Sequence, residues 1–140
     1  MNYGWTQMEA ERAFRRANAE RRRAGIARRL RRVDSACGRL AVHDALSTAG
    51  ARSAVRDIPL DSITGTVEPN RSHQFDNQFR PAPLTRDRWL RVWMAFNRGA
   101  ALPPITVVKV GESYAISDGH HRVSVARANG IDSIRALVVA

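Results

Sequence analysis

Residues 114–130, Tyr114-Ala-Ile-Ser-Asp-Gly-His-His-Arg-Val-Ser-Val-Ala-Arg-Ala-Asn-Gly130, read as a short strand running directly into a helix, with Gly119 at the crossing and His120, His121 and Arg122 on the first helical turn. The first amides of a helix have no partner inside it and carry a partial positive charge, so this junction beside Arg122 is a seat for a phosphate. Gly119 leaves room for a ligand to approach the backbone. Arg122 is permanently charged and offers a planar fork to phosphate oxygens; its alternative use is an ion pair with a nearby carboxylate. His120 and His121 are adjacent, so their side chains point about 100° apart and cannot both face one ligand squarely. A neutral imidazole can move protons near pH 7, which makes both candidates for acid or base work. Asp118 has two readings. It is an N-cap whose carboxylate occupies the amides a phosphate would use, or it is a ligand to a Mg²⁺ that bridges it to phosphate.

Working outward, residues 105–110 and 113–117 are two strands joined by Gly111-Glu112, a two-residue hairpin turn that begins with glycine. The helix from His120 ends near Asn129-Gly130, and residues 133–139 form the last strand. Thr85 is an N-cap candidate for a helix through Arg98, whose Trp89, Leu90, Trp93 and Met94 share one face and read as core. Residues 58–63 read as the first strand, and residues 65–83 as a long loop rich in Pro, Asn, Gln and Ser that carries Phe75, Phe79 and Arg80. Loops of that length inside a small domain are often functional. Strand, loop, helix, strand, strand, helix, strand is an α+β order.

The N-terminal third differs in kind. Thr6-Gln-Met-Glu9 fits a capping box that opens a helix running toward Val33, with Gly25 as its weak point. Ile26, Leu30, Val33, Cys37 and Leu40 recur at spacings of four and three, an apolar seam for the globular part or for a second copy of the chain. A shorter helix is expected around residues 40–46, followed by a loose connector. The formal net charge is +10; residues 1–56 carry 13 basic side chains against 5 acidic, whereas residues 57–140 carry 10 against 8. Arg21, Arg22, Arg23, Arg28, Arg29, Arg31 and Arg32 surround the seam. They point to a polyanion such as nucleic acid or to an acidic partner face, with a solvated basic helix as the plain alternative. The expected division is a basic helical extension over 1–56 and an α+β domain over 57–140. Cys37, the single cysteine, excludes an internal disulfide and a thiolate-rich zinc site, and reads as a small buried side chain. No apolar run approaches the roughly 18 residues a bilayer needs, and no charged-then-apolar leader opens the sequence, so a cytoplasmic protein without membrane contact is expected.

Residues 58–63, the region of Arg80, the helix over 86–98, Pro104-Ile-Thr-Val107, Gly111 and Gly119-His-His-Arg122 together resemble the N-terminal domain of ParB, the chromosome and plasmid partition protein, and so the wider ParB/sulfiredoxin superfamily. The resemblance spans residues 57–139 and none of the N-terminal third. It implies a small α+β domain with a mixed sheet. It also implies that the turn at Gly119, His120, His121 and Arg122, with Arg80 from the loop, holds nucleotide phosphates, of CTP as in ParB or of ATP as in sulfiredoxin. His120 stands where sulfiredoxin has its reactive Cys, and Cys37 lies outside the matched region, so sulfinic acid reduction is not expected. His121 replaces the first Arg of the ParB turn, which removes one permanent charge. The sequence stops before the Glu-Asn-x-x-Arg motif that binds metal and phosphate in ParB, and before its helix-turn-helix and dimerisation domains, so a complete partition protein is not expected.

Three functions stand open. The first is binding of a nucleotide or nucleic-acid phosphate at the Gly-His-His-Arg turn, with the basic helix on DNA. The second is a nuclease-like, NTPase or kinase activity using Asp118, His120 and His121 with Mg²⁺. The third is a non-catalytic regulator or scaffold that assembles with itself or another protein through its N-terminal helical region. No base preference is legible, because no recognition-helix motif is present.

Overall fold

The computed structural model describes residues 3–32, 38–44 and 52–140. The elements are α1 (Tyr3–Leu30), β1 (Ala41–Val42), β2 (Ser53–Pro59), β3 (Ile63–Thr66), α2 (Arg86–Asn97), β4 (Ile105–Val110), β5 (Ser113–Asp118), α3 (His120–Ala128) and β6 (Ser133–Val139), with 3-10 turns at Leu60–Ser62, Pro69–Arg71 and Pro83–Thr85. Six strands form one mixed sheet in the order β1-β3-β5-β4-β6-β2. The β4–β5 and β2–β6 pairs are antiparallel, and the β1–β3, β3–β5 and β4–β6 pairs parallel. The fold is α+β, as the order of elements in the sequence implies.

The β-branched run Ile105-Thr-Val-Val-Lys-Val110 favours an extended, pleated backbone, and Gly111 at φ 60° supplies the left-handed conformation that the tight turn into β5 requires. Alternation then selects the buried face. Ile105 pairs with Ala136 and Val107 with Val138, and all four are buried while Thr106 and Val108 between them are half-buried. Against this face pack Trp89, Leu90 and Trp93 of α2 and Val123, Val125 and Ala126 of α3. The buried indole of Trp89 donates through Nε1 to Ser124 Oγ at 2.8 Å, so its polar atom is satisfied and α2 is tied to α3. The tryptophan pair is core, as its spacing predicts.

Several local expectations need correction. Helix α1 already begins at Tyr3, so Thr6 lies inside it and is not its cap. The buried stripe of α1 is Ala10, Phe14 and Ala17, and the Phe14 ring meets Trp89 edge-on with centroids 5.6 Å apart. Ile26 is 53% and Leu30 80% exposed, so this part of the predicted seam does not pack on the globular part. Apolar periodicity says that residues share a helix face, not that anything stands opposite that face. Val33 and Cys37 lie outside the described residues. Leu40 is buried but opens no helix, because Ala41–Val42 pairs in parallel with Gly65 and Thr66; residues 45 and 46 of the expected helix lie outside the described residues. The expected strand over 58–63 is the end of β2, a 3-10 turn, and the start of β3. Strand β2 begins at Ser53, ahead of Asp57. Thr85 does precede α2, but its hydroxyl donates to Ala82 O at 2.7 Å and makes no cap bond.

The stretch expected to be an open loop carries a buried aromatic plug. Phe75 and Phe79 are each 1% exposed. Asp76 organises the turn between them: its Oδ1 accepts from the Gln78 and Arg80 amides at 2.9 and 2.8 Å, and its Oδ2 pairs with Arg80 Nη1 at 3.2 Å. These bonds hold Phe79 at φ 57°, a conformation an aromatic residue adopts only when its surroundings impose it. No helix among the described residues is long and apolar enough to cross a membrane.

Candidate anion site at the head of α3

Strand β5 delivers Asp118, the backbone turns at Gly119 with φ 111°, and α3 opens at His120. A Cβ at position 119 would collide with the side chain of Ile105, so packing and backbone conformation require the glycine before any ligand does. Asp118 is not the helix cap; its Oδ2 accepts from Arg122 Nη2 at 3.1 Å. Arg122 Nη1 donates to the carbonyls of Pro103 at 2.6 Å and Pro104 at 3.1 Å. Arg122 therefore frames the site, with Nε and one Nη2 hydrogen left for a ligand.

Both histidines are buried. His120 Nε2 lies 2.7 Å from Thr66 Oγ1. The Thr66 hydroxyl donates its one proton to Ile116 O at 3.1 Å and accepts from the Glu68 amide at 2.9 Å, so His120 is the donor through Nε2–H. The two rings meet Phe75 differently, as their divergence on the helix predicts: His120 stacks at 6.3 Å and 17°, and His121 packs edge-on at 5.1 Å and 83°. Burial, then the positive charges of Arg71 and Arg88, pushes the pKa of His120 from 6.5 down to about 4, with Asp118 opposing. His121 is lowered to about 4 by burial, then by Arg88, Arg71 and His120. Both rings are neutral at pH 7. Neither holds a proton to give there, and a base of such low pKa is weak.

These groups bound a cavity of about 60 Å³, together with Arg71, Arg88 and Val92. Arg71 comes from the 3-10 turn after β3 and Arg88 from the first turn of α2. Sequence reading singled out neither, since each looks like an ordinary solvent-facing cation. A topological signal could have found Arg71. Parallel neighbours β3 and β5 leave the sheet at the same end, so the chain after Thr66 arrives beside the chain after Asp118.

Arg80, expected at the phosphate, is held by Asp76 and lines a different cavity of about 200 Å³ with Arg16, Glu20, Gln78 and Arg127. Of the α1 arginines, Arg21, Arg22, Arg28 and Arg29 line a third recess of about 490 Å³, whereas Arg23, Arg31 and Arg32 do not. Among the described residues no three His, Cys, Asp or Glu side chains gather as a metal site would need. Asp118, the one carboxylate lining the α3 cavity among the described residues, pairs through Oδ2 with Arg122 and is otherwise exposed, so it alone could offer a carboxylate oxygen to Mg²⁺ there.

No family model and no curated protein matches the chain. Among solved structures it is similar to sulfiredoxin from Arabidopsis thaliana, at 19% identity and a TM-score of 0.44, over 61% of this chain and 83% of that one.

Proposed function

We propose that this chain is a phosphate-binding domain whose cavity at the head of α3 receives one phosphate group of a nucleotide or nucleic acid. The observation that carries this reading is the convergence of Arg71, Arg88 and Arg122 on the open N-terminus of α3, around a cavity otherwise lined by two neutral imidazoles. Three guanidinium groups outweigh the Asp118 carboxylate, and the first amides of α3 favour an anion. Arg71 and Arg88 grip the ligand, while Arg122 keeps the rim in place. The cavity is the smallest of those described above, at about 60 Å³. It seats the phosphate group, with base and sugar outside. The nuclease, NTPase or kinase reading has less behind it, because it needs a histidine that titrates near pH 7 and has only Asp118 as a carboxylate in the lining.

A thermal-shift series with inorganic phosphate, CTP, ATP and GTP, with and without Mg²⁺, tests the reading. A ligand at one hundred times its dissociation constant stabilises by about 2.7 kcal/mol. The expected result is a similar shift with all four ligands, independent of Mg²⁺ and lost in Arg71→Ala/Arg88→Ala. No shift with any of them would sink the proposal. Mg²⁺-dependent turnover lost in Asp118→Ala would move the site to the enzyme reading.

A further inference from the structure

The recess along the second half of α1 is a cationic cleft with two walls. Arg21, Arg22, Arg28 and Arg29 stand on the helix, and Arg39 and His73 on the facing side. Its one carboxylate among the described residues, Asp76, does not neutralise it, being buried and held by Arg80 and two amides. Among the described residues Arg21 Nε, a buried donor, has no hydrogen-bond partner.

The cleft adjoins the α3 cavity. Arg71 lines that cavity and Ser72, the next residue, lines the cleft. Phe75 is a wall of the cleft, and its ring also packs on His120 and His121. An anionic chain lying in the cleft is thereby led over the ridge at residues 71–72 to the head of α3.

We infer that the cleft holds the sugar-phosphate backbone of a single-stranded nucleic acid, whose path continues to the phosphate seat at α3; the second half of this statement rests on the function proposed above. The chemistry favours phosphodiester. Guanidinium forks match phosphate oxygens, and among the described residues Ile26 is the one exposed large apolar side chain in the lining, too little for the apolar core of a protein interface. The geometry favours a single strand. A duplex takes a protruding helix into a major groove about 12 Å wide, whereas these arginines face one another across a recess. Phe75, the one aromatic ring of the lining besides His73, is 1% exposed, so no platform is offered for base stacking and binding is sequence-tolerant.

Fluorescence anisotropy with a labelled oligothymidylate tests this. Each phosphate neutralised on a single strand contributes about −0.7 to the slope of log affinity against log salt, so five engaged arginines give a slope on the order of −3. Arg21→Ala/Arg28→Ala/Arg39→Ala should weaken binding at least ~10-fold and flatten the slope by about 2. The thermal shift with inorganic phosphate should persist in that variant. If it fails to fold, Arg22→Ala/Arg29→Ala, at two exposed positions, carries the same expectation with a flattening of about 1. Unchanged oligonucleotide affinity in the folded variant would overturn the inference, as would tighter binding of a duplex of equal length. Polyglutamate binding as tightly as the oligonucleotide would also overturn it, reassigning the cleft to an acidic protein. Oligonucleotide binding without any phosphate shift would support the cleft and sink only the seat at α3. A phosphate shift without oligonucleotide binding would do the reverse.

Discussion

The head of α3 and the cleft along α1 are both lined by arginines, yet they use them differently. At the head, the polar groups are already part of the architecture. Arg122 holds two proline carbonyls and Asp118, His120 is fixed by Thr66, and Gly119 is pressed against Ile105. In the cleft, Arg22 and Arg29 are exposed and enter no ion pair among the described residues. Charge count does not separate the two regions; the internal partners of Asp118, His120 and Arg122 do. Substitutions at the head should therefore cost stability together with binding, and substitutions in the cleft binding alone.

The largest effect is expected at Phe75, which is buried beneath both histidines. Phe75→Ala should cost ~3–5 kcal/mol in chemical denaturation, and a cost near zero would break the view of the head as a packed unit. Gly119→Ala comes next, at roughly 2–4 kcal/mol, because the new Cβ meets Ile105 at a φ of 111°. An Ile105→Ala background should relieve the steric part and leave the conformational part.

Acidification probes the same region without a substitution. Unfolded histidines take up protons near 6.5 and the folded pair near 4, so the unfolded state binds more protons across that window and stability falls as pH drops through it. At about 1.36 kcal/mol per pKa unit, His120 contributes roughly 3 kcal/mol to that loss and His121 adds to it. Saturating phosphate should shrink the effect, since a bound anion offsets the field of Arg71 and Arg88 and raises the folded-state pKa values. An unchanged pH profile with phosphate would separate the histidines from the ligand site. The smallest effect belongs to the cleft. Arg22→Ala/Arg29→Ala should change stability by no more than about 0.5 kcal/mol while weakening oligonucleotide binding.

What was legible in the sequence was local. The strand, glycine turn and helix around Gly119, the Gly111 hairpin and the tryptophan face of α2 each lie within one continuous stretch, where spacing and turn chemistry suffice. What was missed depends on contacts between distant stretches. Arg71 reaches the site through the parallel β3–β5 pairing, and Arg39 faces α1 across a cleft that no single segment announces. The Ala10, Phe14 and Ala17 stripe was as visible as the seam below it, but only the position of Trp89 shows which of the two is buried. Asp118 reads in the sequence as an N-cap or a Mg²⁺ ligand and Arg80 as a phosphate ligand, and each has an ion-pair partner four residues away in the chain.

The account rests on a phosphate seat at the start of α3, and amide ¹H–¹⁵N spectra titrated with inorganic phosphate address it residue by residue. The prediction is saturable shifts that are largest at the amides of residues 119–122, abolished in Arg71→Ala/Arg88→Ala. Amides 119–122 that stay unmoved while phosphate is added, whether or not others respond, would contradict it.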